Sequence, residues 1–212
     1  FERSAKSITL SPEARAALGI VAERLAPNEL VRAVLAAPVD LLYNGGIGTY
    51  VKASGESHAA VGDRANDSTR IDASALRCKV VVEGGNLGFT QRGRIEFALA
   101  GGIINTDAID NSGGVDCSDH EVNIKILLDD ALARGELAAD ARNALLAEMT
   151  DEVAELVLRD NRAQNRALAL ERSRGIANLD VQMRFMRYLV AAGRLDRVLE
   201  NLPSDATIDE RR

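Results

Sequence analysis

Three short segments hold residue types and spacings that could do chemistry on a small ligand. Asn44-Gly45-Gly46 and Glu83-Gly84-Gly85-Asn86 each follow a short apolar run. Glycine has no Cβ, so its backbone can approach a ligand closely or take a positive φ. At the carboxyl edge of a parallel sheet, turns of this kind present amide groups to a bound molecule. The third segment, Asn111-Ser112-Gly113-Gly114-Val115, leads into Ser118-Asp119-His120-Glu121. Ser118 and Glu121 have capping-box spacing, which predicts a helix beginning at Ser118 behind a glycine-rich turn. The free N–H groups and dipole of such a helix start suit a carboxylate.

Other tempting residues carry less. Gly46-Ile47-Gly48 is not a dinucleotide fingerprint, because the third glycine of that pattern falls on Val51; no Walker loop occurs either. His120 is read as a surface or structural residue among acidic neighbours, and Lys125 as snorkelling past apolar neighbours. Asp110 either orients its loop or solvates it. Cys78, Cys117, His58 and His120 are too few and too scattered for a Cys/His zinc site, so no metal ligand is expected. No residue is assigned a catalytic role.

The elements that must position these segments alternate. Ser11-Pro12-Glu13 reads as a helix start, with the helix running to about Gly19, and a second helix follows Pro27 and stops at Pro38. Residues 39–43 and 79–82 read as strands, and 103–104 as a third. Residues 52–76 are irregular with one or two short helices near 57–66, and 90–100 form a helix with Ile95 and Leu99 spaced four apart. Strand, helix, strand implies a parallel sheet. Beyond residue 118 only helical periodicity remains: Leu146, Met149, Val153 and Leu156 form one core stripe, and Ile176, Leu179, Met183, Met186 and Val190 another. The expected architecture is α/β, a partial Rossmann-like sheet over residues 1–120 followed by an all-helical region over 121–212.

A net charge of −6 removes any general attraction to nucleic acid or an anionic membrane. From residue 129 onward 13 Arg are interleaved with 16 Asp and Glu, which reads as solvated helix faces with local ion pairs. No apolar run approaches a membrane span and no signal peptide opens the chain. Two thiols suit a reducing cytosol, so a cytoplasmic location is expected. The chain opens without Met, which leads to the expectation of an internal fragment.

Glu83-Gly84-Gly85-Asn86, Thr106-Asp107, Asn111 through Val115, and Ser118 with Glu121 resemble the E-G-A-N, P-D, N-A-G-G-V and S-x-x-E motifs of the glutamate dehydrogenase superfamily. The strings Asp40-Leu41-Leu42-Tyr43-Asn44-Gly45-Gly46-Ile47-Gly48-Thr49-Tyr50-Val51-Lys52 and Gly62-Asp63-Arg64-Ala65-Asn66-Asp67 look more specifically like the large bacterial NAD-specific glutamate dehydrogenases. The resemblance covers most of the chain. Gly85 stands where the superfamily has Ala, Asn44-Gly45-Gly46 where it has P-A-A, and Thr106 where it has Pro.

The resemblance implies NAD as cofactor, with L-glutamate and 2-oxoglutarate as substrate and product. It implies that Asn111 meets the nicotinamide carboxamide and that Asn86 lies near the nicotinamide ribose. Gly45 and Gly46 would lie beside the cofactor, and Ser118 would hold the distal carboxylate of glutamate. The superfamily's catalytic lysine and aspartate belong to segments before residue 1, so the chain alone is expected to be inactive, and the full-length protein a homo-oligomer. Two alternatives stay open: a helical assembly module using the stripe at 176–190, and a related dehydrogenase acting on another amino acid.

Overall fold

In the computed structural model, which describes Glu2 and residues 4–210, the chain divides into two compact units. Residues 1–107 and 174–212 form one, and residues 108–173 the other.

The first unit begins with a small antiparallel pair, β1 (Ile8–Thr9) and β2 (Arg24–Leu25), enclosing α1 (Pro12–Leu18). As its sequence predicts, α1 starts at Ser11, whose hydroxyl accepts from the Ala14 amide, and ends at Gly19 with φ 66°. Helix α2 (Pro27–Leu35) is held at its start by Glu29, whose carboxylate accepts from the Ala26 amide at 2.8 Å. Strand β3 (Leu41–Asn44) follows. Strands β4 (Val51–Lys52) and β5 (Ile71–Asp72) pair in parallel across the segment holding α3 (His58–Val61) and a 3-10 turn at Arg64–Asn66. Strand β6 (Val80–Glu83) runs parallel to β3, with Asn44 opposite Glu83.

The third strand expected at 103–104 is reduced to a single parallel bridge from Ile103 to Val80. The Ile103 amide donates to the Lys79 carbonyl and its own carbonyl accepts from Val81, after which the chain turns away. Helix α4 (Gln91–Leu99) is capped by Thr90, yet its buried face is Gly93, Arg94 and Phe97. Leu99 is 75% exposed, so the four-residue spacing of Ile95 and Leu99 marks the outer side. Gly93 faces inward because a Cβ there would sit 3.1 Å from the Lys52 carbonyl carbon. The core is Val51, Ile71, Ala73, Cys78, Val81, Phe89 and Phe97. With only 3% aromatic residues in the chain, these two phenylalanines carry weight: truncating either to Ala would cost about 3–5 kcal/mol.

A short helix, α5 (Asp107–Asp110), leads into the helices of the second unit: α6 (Ser112–Ala133), α7 (Ala139–Glu148) and most of α8 (Thr150–Arg174). Val157 of α8 is buried, and Asn161 donates to the Ile109 carbonyl at 3.0 Å and the Ser112 hydroxyl at 2.7 Å, fastening α8 to the start of α6. The chain then returns to the first unit with α9 (Leu179–Ala191) and α10 (Asp205–Glu210). The stripe expected to be core along 176–190 is only partly so: Met183 is buried, whereas Ile176 is 73% exposed. A mixed α/β, Rossmann-like part with parallel strands, accompanied by abundant helix, is the observed fold class. No helix among the described residues is long and apolar enough to cross a membrane.

Candidate functional site

Strands β3 and β6 end side by side, so the loops after them meet. The Gly85 amide donates to the Asn44 carbonyl at 3.0 Å. A Cβ on Gly85 would lie 2.4 Å from the Gly46 carbonyl oxygen, and one on Gly84 only 2.1 Å from the Tyr43 hydroxyl. Gly85 is therefore demanded by loop-on-loop packing, whereas Gly84 meets only the end of the exposed Tyr43 side chain. Gly46 differs: a Cβ there would meet only the Tyr50 hydroxyl at 3.9 Å, so one side of this residue is open. Gly45, Gly46 and Asn86 are all exposed at this carboxyl edge.

Beneath the ledge lies Asn44, 8% exposed, whose buried side-chain nitrogen has no hydrogen-bond partner among the described residues and packs under Gly88, where a Cβ would lie 2.1 Å from it. Open backbone at Gly46 and exposed Asn86 suit the polar ribose and amide groups of a dinucleotide. They offer no cationic side chain of their own for its phosphates.

What holds the ledge was not visible in the motif reading. Glu83 is fully buried, and its carboxylate accepts from the Arg94 guanidinium in two bonds, at 2.6 and 3.0 Å. It also accepts from the Phe89 amide at 3.0 Å. Arg94 reaches on to Asp107 at 3.3 Å, and Asp107 in turn accepts from the Leu87 amide at 2.7 Å. Leu87 has φ 59°, a left-handed conformation that a branched side chain disfavours. The Glu83–Arg94–Asp107 network thus ties both ends of the loop carrying Asn86 and holds its strained residue. Burial pushes the Glu83 carboxyl up from its ordinary range, against the opposing pull of Arg94.

A second network organises the Gly62–Asp67 string. Asp63 accepts from the Thr49 amide at 2.8 Å and the Asn66 side chain at 2.7 Å, bonds that hold its carboxyl below the usual range. The Arg70 side chain is completely buried, donating to the Thr49 and Asp63 carbonyls and to Asp67. Those residues encode a wrapped turn behind the β3 loop, and Gly48 packs tightly against it: a Cβ there would lie 2.3 Å from the Asn66 side-chain nitrogen.

In the second unit, Asn111 stands at the N-terminal boundary of α6, and Gly113 and Gly114 belong to its first turn. The expected glycine-rich turn with a helix start at Ser118 is therefore corrected: Ser118 lies inside the helix and caps nothing. A Cβ on Gly114 would approach the Asn111 side-chain oxygen to 2.8 Å, a contact that only a shift of that side chain would relieve. Asn111 and Ser118 are seven residues apart, two helical turns, and so share one face of α6 about 10 Å from one another. Ser118 is exposed on it. The structure therefore groups Gly45, Gly46 and Asn86 on one ledge and Asn111 with Ser118 on one helix face.

Residues 1–171 match the family model described as the catalytic domain of bacterial NAD-glutamate dehydrogenase. Proteins named NAD-specific glutamate dehydrogenase are 57% identical over 211 residues in Halomonas elongata and 58% over 211 in Pseudomonas aeruginosa. One of the same name from Mycobacterium tuberculosis is 54% identical over 217 residues. Each match covers 100% of this chain but 13% of the relative, so the chain spans only a small part of their length. The chain belongs to the bacterial NAD-glutamate dehydrogenase catalytic-domain family.

Proposed function

We propose that this chain supplies part of the cofactor and substrate site of an NAD-dependent glutamate dehydrogenase. The reaction converts L-glutamate, NAD⁺ and water to 2-oxoglutarate, ammonium, NADH and a proton. The observation that carries the reading is the ledge where β3 and β6 end, with Gly45, Gly46 and Asn86 exposed on it. NAD, when bound, accepts the hydride that leaves the glutamate Cα. The chain's own residues bind and orient. Gly46 lets backbone close on the cofactor, Asn86 bonds its ribose side, and Asn111 fixes the carboxamide, so that the face toward Cα is constant. Ser118 accepts or donates a hydrogen bond at the distal carboxylate of glutamate. Holding both reactants at attack distance is what the protein contributes here.

In this reading residues 1–120 serve the cofactor and 121–212 form the helical region. None of the four lysines lies in a glycine-rich setting, so proton transfer falls to residues outside the chain, and the chain alone is inactive.

The test is steady-state kinetics of the full-length protein. Asn111→Ala raises KM for NAD, and Ser118→Ala raises KM for glutamate with little change for NAD. Gly114→Ala adds a methyl against the Asn111 oxygen while improving helix propensity, so it weakens NAD use with the fold intact. Normal kinetics in both alanine variants at 111 and 118 would overturn the assignment, as would turnover by the 212-residue chain alone for its inactivity.

A further inference from the structure

Asp116 and His120 of α6 are one helical turn apart, and Asp160 of α8 packs against them. One ligand atom from each lies within 4.8 Å of the other two. This cluster plays no part in the functional reading above. Ser118 lies between the two α6 residues in sequence and so projects from another face of the helix.

Two atoms of the cluster lack what burial demands. Asp116 Oδ2 and His120 Nε2 are both shielded from solvent and neither has a hydrogen-bond partner among the described residues. His120 Nε2 is 3.5 Å from Asp116 Oδ1, outside good hydrogen-bond geometry. A simple ion pair would bring that N–H onto the carboxylate and would still leave Oδ2 unserved. Buried polar atoms left in this state call for an unseen water or ion. Arg159, largely exposed, donates to Asp160 Oδ1 at 3.2 Å.

We propose that Asp116, His120 and Asp160 form a divalent metal site of the zinc class that clamps α6 to α8. An i, i+4 pair on one helix face is a recurrent way to offer two ligands to one ion. A neutral imidazole with two carboxylates suits Zn²⁺ and its transition-metal neighbours better than Mg²⁺ or Ca²⁺, which prefer all-oxygen shells. Bonds of about 2.0–2.2 Å place ligand atoms about 3–4 Å apart around one ion. Small rotations of three side chains close the cluster to that size. The two carboxylate charges balance the ion, and water completes the shell.

The experiment uses the full-length protein stripped with chelator and titrated with Zn²⁺, followed by calorimetry and by thermal unfolding, with Co²⁺ absorption as a report on ligand type. One ion per chain is expected at this site, with a raised unfolding temperature and no thiolate-to-Co²⁺ band. His120→Gln and Asp160→Asn each weaken binding at least about tenfold, equivalent to about 1.4 kcal/mol. Asp116→Asn, nearly isosteric, repeats the loss should the histidine variant misfold, and circular dichroism checks each variant. Cys117→Ser leaves the Co²⁺ spectrum unchanged. The proposal is overturned if the stripped protein takes up no ion. It is equally overturned if the histidine and aspartate variants bind as tightly as wild type, or if binding depends on Cys117.

Discussion

The Glu83 carboxylate, fully buried, receives two hydrogen bonds from the Arg94 guanidinium, and this pair underlies the loop that presents Asn86. Removing one partner takes away the other's main counterpart, leaving Arg94 with Asp107 and Glu83 with the Phe89 amide; breaking a buried pair of this kind costs about 3–5 kcal/mol. Glu83→Gln and Arg94→Met should both lose stability of that order in urea unfolding of the full-length protein, and both should weaken NAD binding. Their pH dependence differs. In Arg94→Met, burial and the nearby Asp107 charge act on Glu83 against only the Phe89 amide, and its folded-state pKa rises further above the unfolded value of about 4.5. Stability of that variant is then greatest below the unfolded pKa and falls as pH rises through the folded one. Glu83→Gln has no carboxyl at this position and should lack that decline. Equal pH profiles for the two variants would count against the buried pair as the loop's anchor.

Much of the fold was legible because its signals are local. Ser11, Thr90, Pro12, Pro27 and the glycine at 19 mark helix ends through bonds that span three or four residues. The strands β3 and β6 announce themselves as apolar runs stopped by glycine. The misreadings have a common cause in packing that sequence does not display. Ser118 has ideal capping-box spacing, yet α6 begins six residues earlier and holds Gly113 and Gly114 in its first turn. The two glycines looked like a turn and are helical, a Cβ on Gly113 being in ordinary contact range of Val157 and one on Gly114 meeting the Asn111 side chain. Likewise Glu83 appeared as part of a ligand motif. Its partners Phe89 and Arg94, and Asp107 on the far side of Arg94, are distant enough in sequence that only the folded chain shows it to be a support. Met183 and Ile176 share a periodic stripe, and only the first is enclosed.

Gly85 has a structural reason to lack a side chain. The position of its missing Cβ is occupied by the Gly46 carbonyl, 2.4 Å away, and backbone on both sides leaves little room to yield. The glycine at 85 and the glycine-rich turn at 45–46 therefore belong together. Gly85→Ala should cost about 1–3 kcal/mol through forced displacement of one loop. Its NAD affinity should fall more than that of Gly55→Ala, where a Cβ meets nothing within 4 Å and stability should move by less than about 0.5 kcal/mol. Thermal unfolding and NAD titration of the two variants side by side give the comparison. Indistinguishable behaviour would mean the two loops part readily.

Asp63 gives the opposite pH sign from Glu83. The Thr49 amide, the Asn66 side chain and the Arg70 guanidinium favour its ionised form, and its folded-state pKa lies below the ordinary 3.8. Its contribution is therefore complete above the unfolded pKa and is lost as pH falls through the lower folded value. Wild-type protein should lose stability on the acid side, below about pH 4. Asp63→Asn should be less stable at neutral pH by about 1.5–3 kcal/mol, the scale of hydrogen bonds to a charged group. The gap between the two proteins should narrow on acidification, because the wild type surrenders what the variant never had. Unfolding midpoints measured from pH 7 down to pH 3 test this, with hydrogen exchange at the Thr49 amide as the local readout. A gap that stayed constant across that range would show that the Asp63 charge does not hold the turn behind β3.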